Sequence, residues 1–239
     1  MNAQVVCVSH KHPTEPYYRF DVFLESLRRF ADKPTVLGMG EKWSGLMTKA
    51  FLYRQWLRDG KNTSDRLILC DAWDIVFAKH PHGIGDDCIK KFGKDAVVFN
   101  GEKSCWPHVE LSSEFEFKGA GPWRYLNCGF ICGSADLILK MLEAMNLESI
   151  GVDRKENGKT IEPNDQGEFQ KMYPRQPVKM VVDTNCSISQ TLSSCTIDEF
   201  DLTGTHIKNK VTGEEPGVFH FNGGSKNDIM PLMHKHWNL

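Results

Sequence analysis

Residues 67–77 read LILCDAWDIVF. An apolar run of strand length stops at Asp71, and a second acid, Asp74, follows three residues later. A strand that ends in two neighbouring carboxylates presents oxygen ligands at the edge of a sheet, where a hard divalent cation can sit beside a phosphate. An aspartate after a strand also closes turns through its own side chain, so this segment alone leaves both readings open. The far end of the chain tips the balance. There Val218 and Phe219 lead into His220, Asn222, Gly223, Gly224, Ser225 and Lys226. An imidazole, two glycines and a lysine at a strand end suit the second half of a metal and diphosphate site.

Further strand-like runs fall at Val5 to Ser9, Thr35 to Leu37, Ala96 to Asn100, Gly129 to Cys132, Val178 to Val182 and Gly217 to Phe221. Between them, Phe20, Phe23, Leu24, Leu27 and Phe30 mark one helical face over Phe20 to Phe30. Leu46, Ala50, Tyr53 and Leu57 mark another over Ser44 to Arg58, and Leu137 to Leu147 reads as a third helix. Alternating strands and helices predict an α/β fold with a mostly parallel sheet. Ligands of such sheets collect at the carboxyl ends of the strands, which is where Asp71 falls. Val152 to Asn164 is expected to be an exposed loop, and a helix follows from Asn164-Asp165-Gln166, with Asp165 most simply its N-cap. No glycine-rich loop of P-loop or Rossmann spacing is present, which argues against ATPase and dehydrogenase chemistry, and Gly-x-Ser-x-Gly is absent.

The 239 residues suit one domain spanning 1–239 with a substantial core. A formal charge of -2 with interspersed signs gives no electrostatic case for non-specific binding to nucleic acid or membrane, although a local basic groove stays open. The opening MNAQVVCVSH lacks the features of an export signal, and no stretch approaches the ~20 apolar residues that span a bilayer. Eight cysteines lie largely in apolar settings without zinc-finger spacing, so free buried thiols and a reducing compartment are expected. A soluble cytoplasmic protein without membrane insertion is the resulting expectation.

In chain order the informative pieces are GMGEKW, a lysine-bearing helix, DAWD, NGEKSCWP, YLNCGFICGS, NDQ and FHFNGGSK. Over nearly the whole chain this series resembles the glycosyltransferase domain of the procollagen lysyl hydroxylase and glucosyltransferase family. The resemblance implies a GT-A type, Rossmann-like fold with a mostly parallel central sheet flanked by helices. It also implies a UDP-sugar donor and Mn²⁺, with Mg²⁺ as the alternative; manganese accepts an imidazole among oxygens more readily than magnesium does. Matched position by position, Asp71, Asp74 and His220 look like the metal ligands. Trp73 takes the place of an aromatic that stacks on uracil. Lys49, Asn222, Gly223 and Lys226 stand where the family meets the diphosphate, and Asn127 where it meets the donor sugar. Asp165, with Asn164 beside it, matches the acidic stretch at the acceptor side, as base or positioning group, and Trp106 matches an acceptor platform.

Each residue also has a plainer reading. Trp73 and Trp106 could be packing residues, His220 a core histidine, and Lys49 a solvated helix residue. Asn127 could pair with backbone at a strand end, and Gly223 with Lys226 could be a turn beside a surface lysine. The chain departs from the family where the loop between Trp43 and Lys49 is short and lacks a glycine-rich stretch, and where the aspartate run is reduced to Asn164-Asp165. Neither a hydroxylase domain nor an export signal is in the sequence, which favours a stand-alone microbial or viral enzyme. Candidate acceptors are a hydroxylated side chain, a glycan or a hydroxymethylated nucleobase in DNA. The competing classes are a non-catalytic nucleotide-sugar or carbohydrate-binding module and a metal-dependent phosphodiesterase.

Overall fold

The structure, a computed structural model, describes residues 2–10, 19–115, 121–145, 147 and 164–239, together with the backbone of 154–156 and 159–161. Its strands are β1 (Ala3–Val8), β2 (Thr35–Leu37), β3 (Arg66–Cys70), β4 (Ile75–Phe77), β5 (Ala96–Glu102), β6 (Tyr125–Ser134), β7 (Arg154–Glu156), β8 (Lys159–Ile161), β9 (Lys179–Asp183), β10 (Ser189–Thr191), β11 (Phe200–Asp201), β12 (Lys208–Asn209) and β13 (Val218–His220). The helices are α1 (Phe20–Arg28), α2 (Met47–Arg58), α3 (Pro81–Phe92), α4 (Ala135–Ala144), α5 (Asp165–Met172), α6 (Ser225–Asp228) and α7 (Met230–Trp237).

Six strands form the central sheet in the order β2-β1-β3-β6-β5-β9. The pairs β1·β2, β1·β3 and β5·β9 are parallel, whereas β6 runs antiparallel to β3 and β5. Because β6 is reversed, its amino end lies at the same edge as the carboxyl ends of β3 and β5. That edge therefore gathers Asp71, Asn100, Glu102 and Asn127.

Both faces of the sheet are covered, which explains why its strands read as nearly continuous apolar runs. Val6, Leu67, Leu69, Val97, Phe99 and Ile131 pack with Tyr53, Leu142 and Phe169 on one face. Their alternates Val5, Cys7, Ile68, Cys70, Val98 and Phe130 pack with Phe23, Leu27 and Cys88 on the other. All eight cysteines are unpaired and seven are buried, consistent with use as small apolar groups.

Several short strands and two helices of eight or more residues were not read from the sequence. Helix α3 begins at Pro81, a residue suited to a first helical position, but Gly83 and Gly85 weaken its periodic signal. Gly85 serves packing: a Cβ there would lie 3.0 Å from Ala3 Cβ and 3.3 Å from Arg66 Cγ. The C-terminal helix α7 covers β13 by burying Met230, Met233 and Trp237 with Phe219 and Phe221. The expected loop 152–164 lies largely outside the described residues, but it contains the antiparallel β7·β8 pair. Among the described residues no helix is long and apolar enough to cross a membrane.

On α7, His234 is buried against the edge of the Phe221 ring, 5.4 Å between centroids. Burial, with the charge of Arg19 added, lowers its pKa to about 4, while Asp21 opposes the shift. The unfolded chain then binds a proton that the folded chain refuses. Stability tied to His234 is present above pH ~6.5 and is lost as pH falls toward 4. Thermal melts across this window should show a shallower pH dependence for His234→Gln than for the parent; superimposable slopes would contradict it.

Candidate active site

The short sheet β10-β13-β4 converts two distant segments into one site. Strand β13 runs antiparallel to β4, with His220 opposite Ile75, and Phe221 N–H donates to the carbonyl of Asp74 at 2.8 Å. Asp71 is fixed from the other side, where its N–H donates to the Gly129 carbonyl at 2.9 Å. As a result His220 Nε2 lies 3.4 Å from Asp71 Oδ2 and 3.5 Å from Asp74 Oδ1. Ligand atoms of these three residues all fall within 4.8 Å of one another. Neighbouring ligands bonded at about 2.1 Å to one divalent ion sit ~3 Å apart, so small side-chain adjustments would let all three share it.

Charge supports the same reading. Lys49 Nζ bridges Asp71 Oδ1 at 2.7 Å and Asp165 Oδ2 at 2.9 Å, and Lys226 Nζ pairs with Asp74 Oδ2 at 2.9 Å. Burial disfavours the charge on Asp71, Asp74, Lys49 and His220, yet the mutual attractions win. Asp71 is held well below the usual carboxylate range by Lys49 and His220, and Asp74 is lowered by His220 and Lys226. Lys49 is raised by Asp165 and Asp71, and His220 is raised to about 9 by Asp74 and Asp71. The carboxylates remain ionised at neutral pH, the state a hard cation needs.

Several plain alternatives are replaced by specific contacts. Lys49 is no solvated helix residue, since its side chain is only 13% exposed and its ammonium is held between two carboxylates. The N-cap of α5 is Asn164, whose Oδ1 accepts from Gly167 N–H at 2.7 Å, rather than Asp165, the first helical residue. Asp165 is thereby free to face Lys49. Trp106 is no core residue: it is 53% exposed, and its carbonyl accepts from Gln166 Nε2 at 2.6 Å and Gln170 Nε2 at 2.8 Å. Trp73 is half-buried beside the end of β1, where its Nε1–H donates to Ser9 Oγ at 3.0 Å. The His10 ring lies 5.8 Å from it and stacks on Trp43 at 5.2 Å. Gly223 has φ +61, and a Cβ there would meet Ser193 Oγ at 2.9 Å, so the turn after β13 requires glycine.

One central residue escaped the sequence reading. Glu102, at the end of β5, is buried and accepts from Asn127 Nδ2 at 3.1 Å, Gln166 Nε2 at 3.2 Å and Asn222 Nδ2 at 2.5 Å. Burial raises its pKa despite these donors. The signal was present, since an acid ends an apolar strand here as Asp71 does, but Glu102 lies two residues past Asn100 across a β-bulge. Asn222 is held at both ends, its Oδ1 accepting from Leu192 N–H at 3.2 Å and Ser193 N–H at 3.0 Å.

A family profile described as the PLOD GT domain matches residues 2–237. The chain is 27% identical over 235 residues to a multifunctional procollagen lysine hydroxylase and glycosyltransferase of Caenorhabditis elegans, covering 90% of this chain and 30% of that protein. It is 26% identical over 226 residues to procollagen-lysine,2-oxoglutarate 5-dioxygenase 2 of Homo sapiens, covering 87% and 28%. The chain thus spans less than a third of these relatives. A glycosyltransferase involved in glycosylation of the major capsid of PBCV-1 superposes with TM-score 0.51 at 10% identity, covering 99% of both chains, a likeness of fold. The central sheet flanked by helices is accordingly of the GT-A type. Because the profile runs from the first strand through the last helix, the whole chain, and not a motif within it, belongs to the PLOD GT domain family.

Proposed function

We propose that this domain transfers a hexose, glucose or galactose, from a UDP-sugar to a hydroxyl acceptor in a reaction that depends on Mn²⁺, with Mg²⁺ as substitute. The observation that carries the reading is the convergence of His220 on Asp71 and Asp74. These three side chains would hold the cation, which when bound supplies Lewis-acid stabilisation to the departing diphosphate.

The surrounding side chains divide the remaining work. Trp73 offers its ring to the uracil. Gly223 lets backbone approach the phosphates, and Lys226, one turn beyond, supplies positive charge when Asp74 turns to the metal. Asn222 braces this wall through Glu102 and the Leu192–Ser193 backbone. Lys49 joins Asp71 on the donor side to Asp165 on the acceptor side, and the exposed Trp106 presents an aromatic face for the acceptor. The names of the relatives point to a hydroxylated lysine side chain as acceptor; a glycan or a hydroxymethylated base meets the same chemical requirement.

Release of UDP from UDP-glucose or UDP-galactose on adding Mn²⁺ tests the proposal, with mass detection of the product. Absence of release across the common donors, with UDP still bound, would identify a binding module; cleavage of phosphodiesters without a donor would identify a hydrolase. Asp165→Asn is expected to lower turnover at least 100-fold while leaving donor affinity within about threefold, because the residue faces the acceptor side. A selective loss of UDP affinity in this variant would contradict that placement.

A further inference from the structure

We propose that Asn127 is a positioning residue for the metal ligand His220, an inference that rests on the metal site described above. Asn127 sits on β6 beneath the imidazole, and its carboxamide is oriented without ambiguity. The Oδ1 atom accepts from the backbone N–H of Gly129 at 2.9 Å and from Asn100 Nδ2 at 3.3 Å. The Nδ2 atom donates to the Glu102 carboxylate at 3.1 Å. A backbone N–H can only donate, so the amide atom that accepts from Gly129 is the oxygen and the two ends of the amide cannot be exchanged.

It follows that the nearer atom facing His220 Nδ1, at 3.2 Å, is an oxygen, while Asn100 Nδ2, which donates to that same oxygen, stands farther off at 3.5 Å. Nδ1 must therefore carry a proton, and when a metal is bound the lone pair is on Nε2, the nitrogen that points at Asp71 and Asp74. Ligating histidines are tuned by such a partner on their second nitrogen, and losing it costs about 10- to 100-fold in metal affinity. With its Oδ1 set between Gly129 N–H, Asn100 Nδ2 and the His220 ring, Asn127 acts on the metal site through His220.

A second trio shows the opposite arrangement. Asp32, His80 and His82 also bring ligand atoms within 4.8 Å of one another. There, however, His82 Nδ1 accepts from Ala3 N–H at 3.1 Å and His80 Nδ1 accepts from His82 N–H at 3.2 Å. Neutral rings that accept at Nδ1 keep their proton on Nε2, so neither is prepared to ligate. Partners at Nδ1, more than proximity of ligand atoms, separate the two trios.

The test is Mn²⁺ binding without nucleotide, followed through the electron paramagnetic resonance signal of the free ion, with donor binding measured separately. Asn127→Leu should weaken Mn²⁺ binding 10- to 100-fold. Asn127→Asp keeps an acceptor beneath His220 Nδ1, with one proton shared between its second oxygen and Glu102, and should hold Mn²⁺ affinity within about threefold. Asn127→Leu with unchanged Mn²⁺ affinity but weakened donor binding would overturn the proposal alone. A parent protein that binds no Mn²⁺ would overturn the metal site and the proposal with it. Should the variants fail to fold, nitrogen-15 spectra of the Zn²⁺-loaded parent decide: a retained Nδ1–H with Nε2 bare on His220 supports the proposal, and the reverse overturns it.

Discussion

Asp74→Ala is expected to abolish transfer, reducing turnover by at least three orders of magnitude, and to weaken UDP binding only when a divalent cation is present. Asp74 Oδ1 lies 3.5 Å from His220 Nε2, and its backbone carbonyl holds β13 through Phe221 N–H. Only the side chain is removed by the substitution, so the strand pairing that brings His220 to the site remains. What would be lost is one of the two carboxylates proposed to hold the cation, in a centre where two ammonium groups already offset part of the negative charge. Lys226, relieved of its ion pair with Asp74, is expected to keep its attraction for the diphosphate, so metal-free UDP binding should hold or tighten slightly. Titration of UDP with and without Mn²⁺ separates these effects, and Asp74→Asn controls for shape. An alanine variant with parental turnover would remove Asp74 from the metal site.

Gly129→Ala should be nearly as damaging, although glycine brings no chemistry of its own. A Cβ at this position would stand 2.1 Å from His220 Cε1, 2.5 Å from His220 Nδ1 and 2.9 Å from Asp71 Oδ2. Real contacts of that kind do not occur, so the imidazole must leave its place or β6 must retreat. Strand β6 is pinned at this residue twice, by the Asp71 N–H on its carbonyl and by Asn127 Oδ1 on its own N–H. The ring is therefore the part that yields. Overpacking of this kind costs about 1–3 kcal/mol of stability. Melting curves would show a folded protein of reduced stability, and Mn²⁺ affinity is expected to fall at least 100-fold. Parental Mn²⁺ binding by the variant would mean that the space above Gly129 is not part of the site.

The architecture was readable because both faces of the sheet are buried, leaving apolar runs that stop abruptly at polar edges. The run at 67–70 ends in Asp71 and the run at 218–219 in His220, and these stops meet at the proposed site. What the sequence could not display is who faces whom across the fold. Glu102 looks like one acid among several until β6, α5 and the turn after β13 place three amides around it. Gly129 looks like strand filler until the imidazole is set above it. Asp165 and Asn164 share the start of α5, and only the direction of their side chains shows which caps the helix and which faces Lys49. Helix α3 stayed hidden for a local reason, since Gly83 and Gly85, the second of which serves close packing, erase the propensity on which a sequence reading relies.

The most direct test is a crystal of the protein grown with Mn²⁺ and UDP and recorded at a wavelength where manganese scatters anomalously. One anomalous peak bonded to Asp71, Asp74 and Nε2 of His220, with the diphosphate on its open side, is the predicted result. A peak at Asp32, His80 and His82, or UDP bound with no peak beside His220, would contradict it.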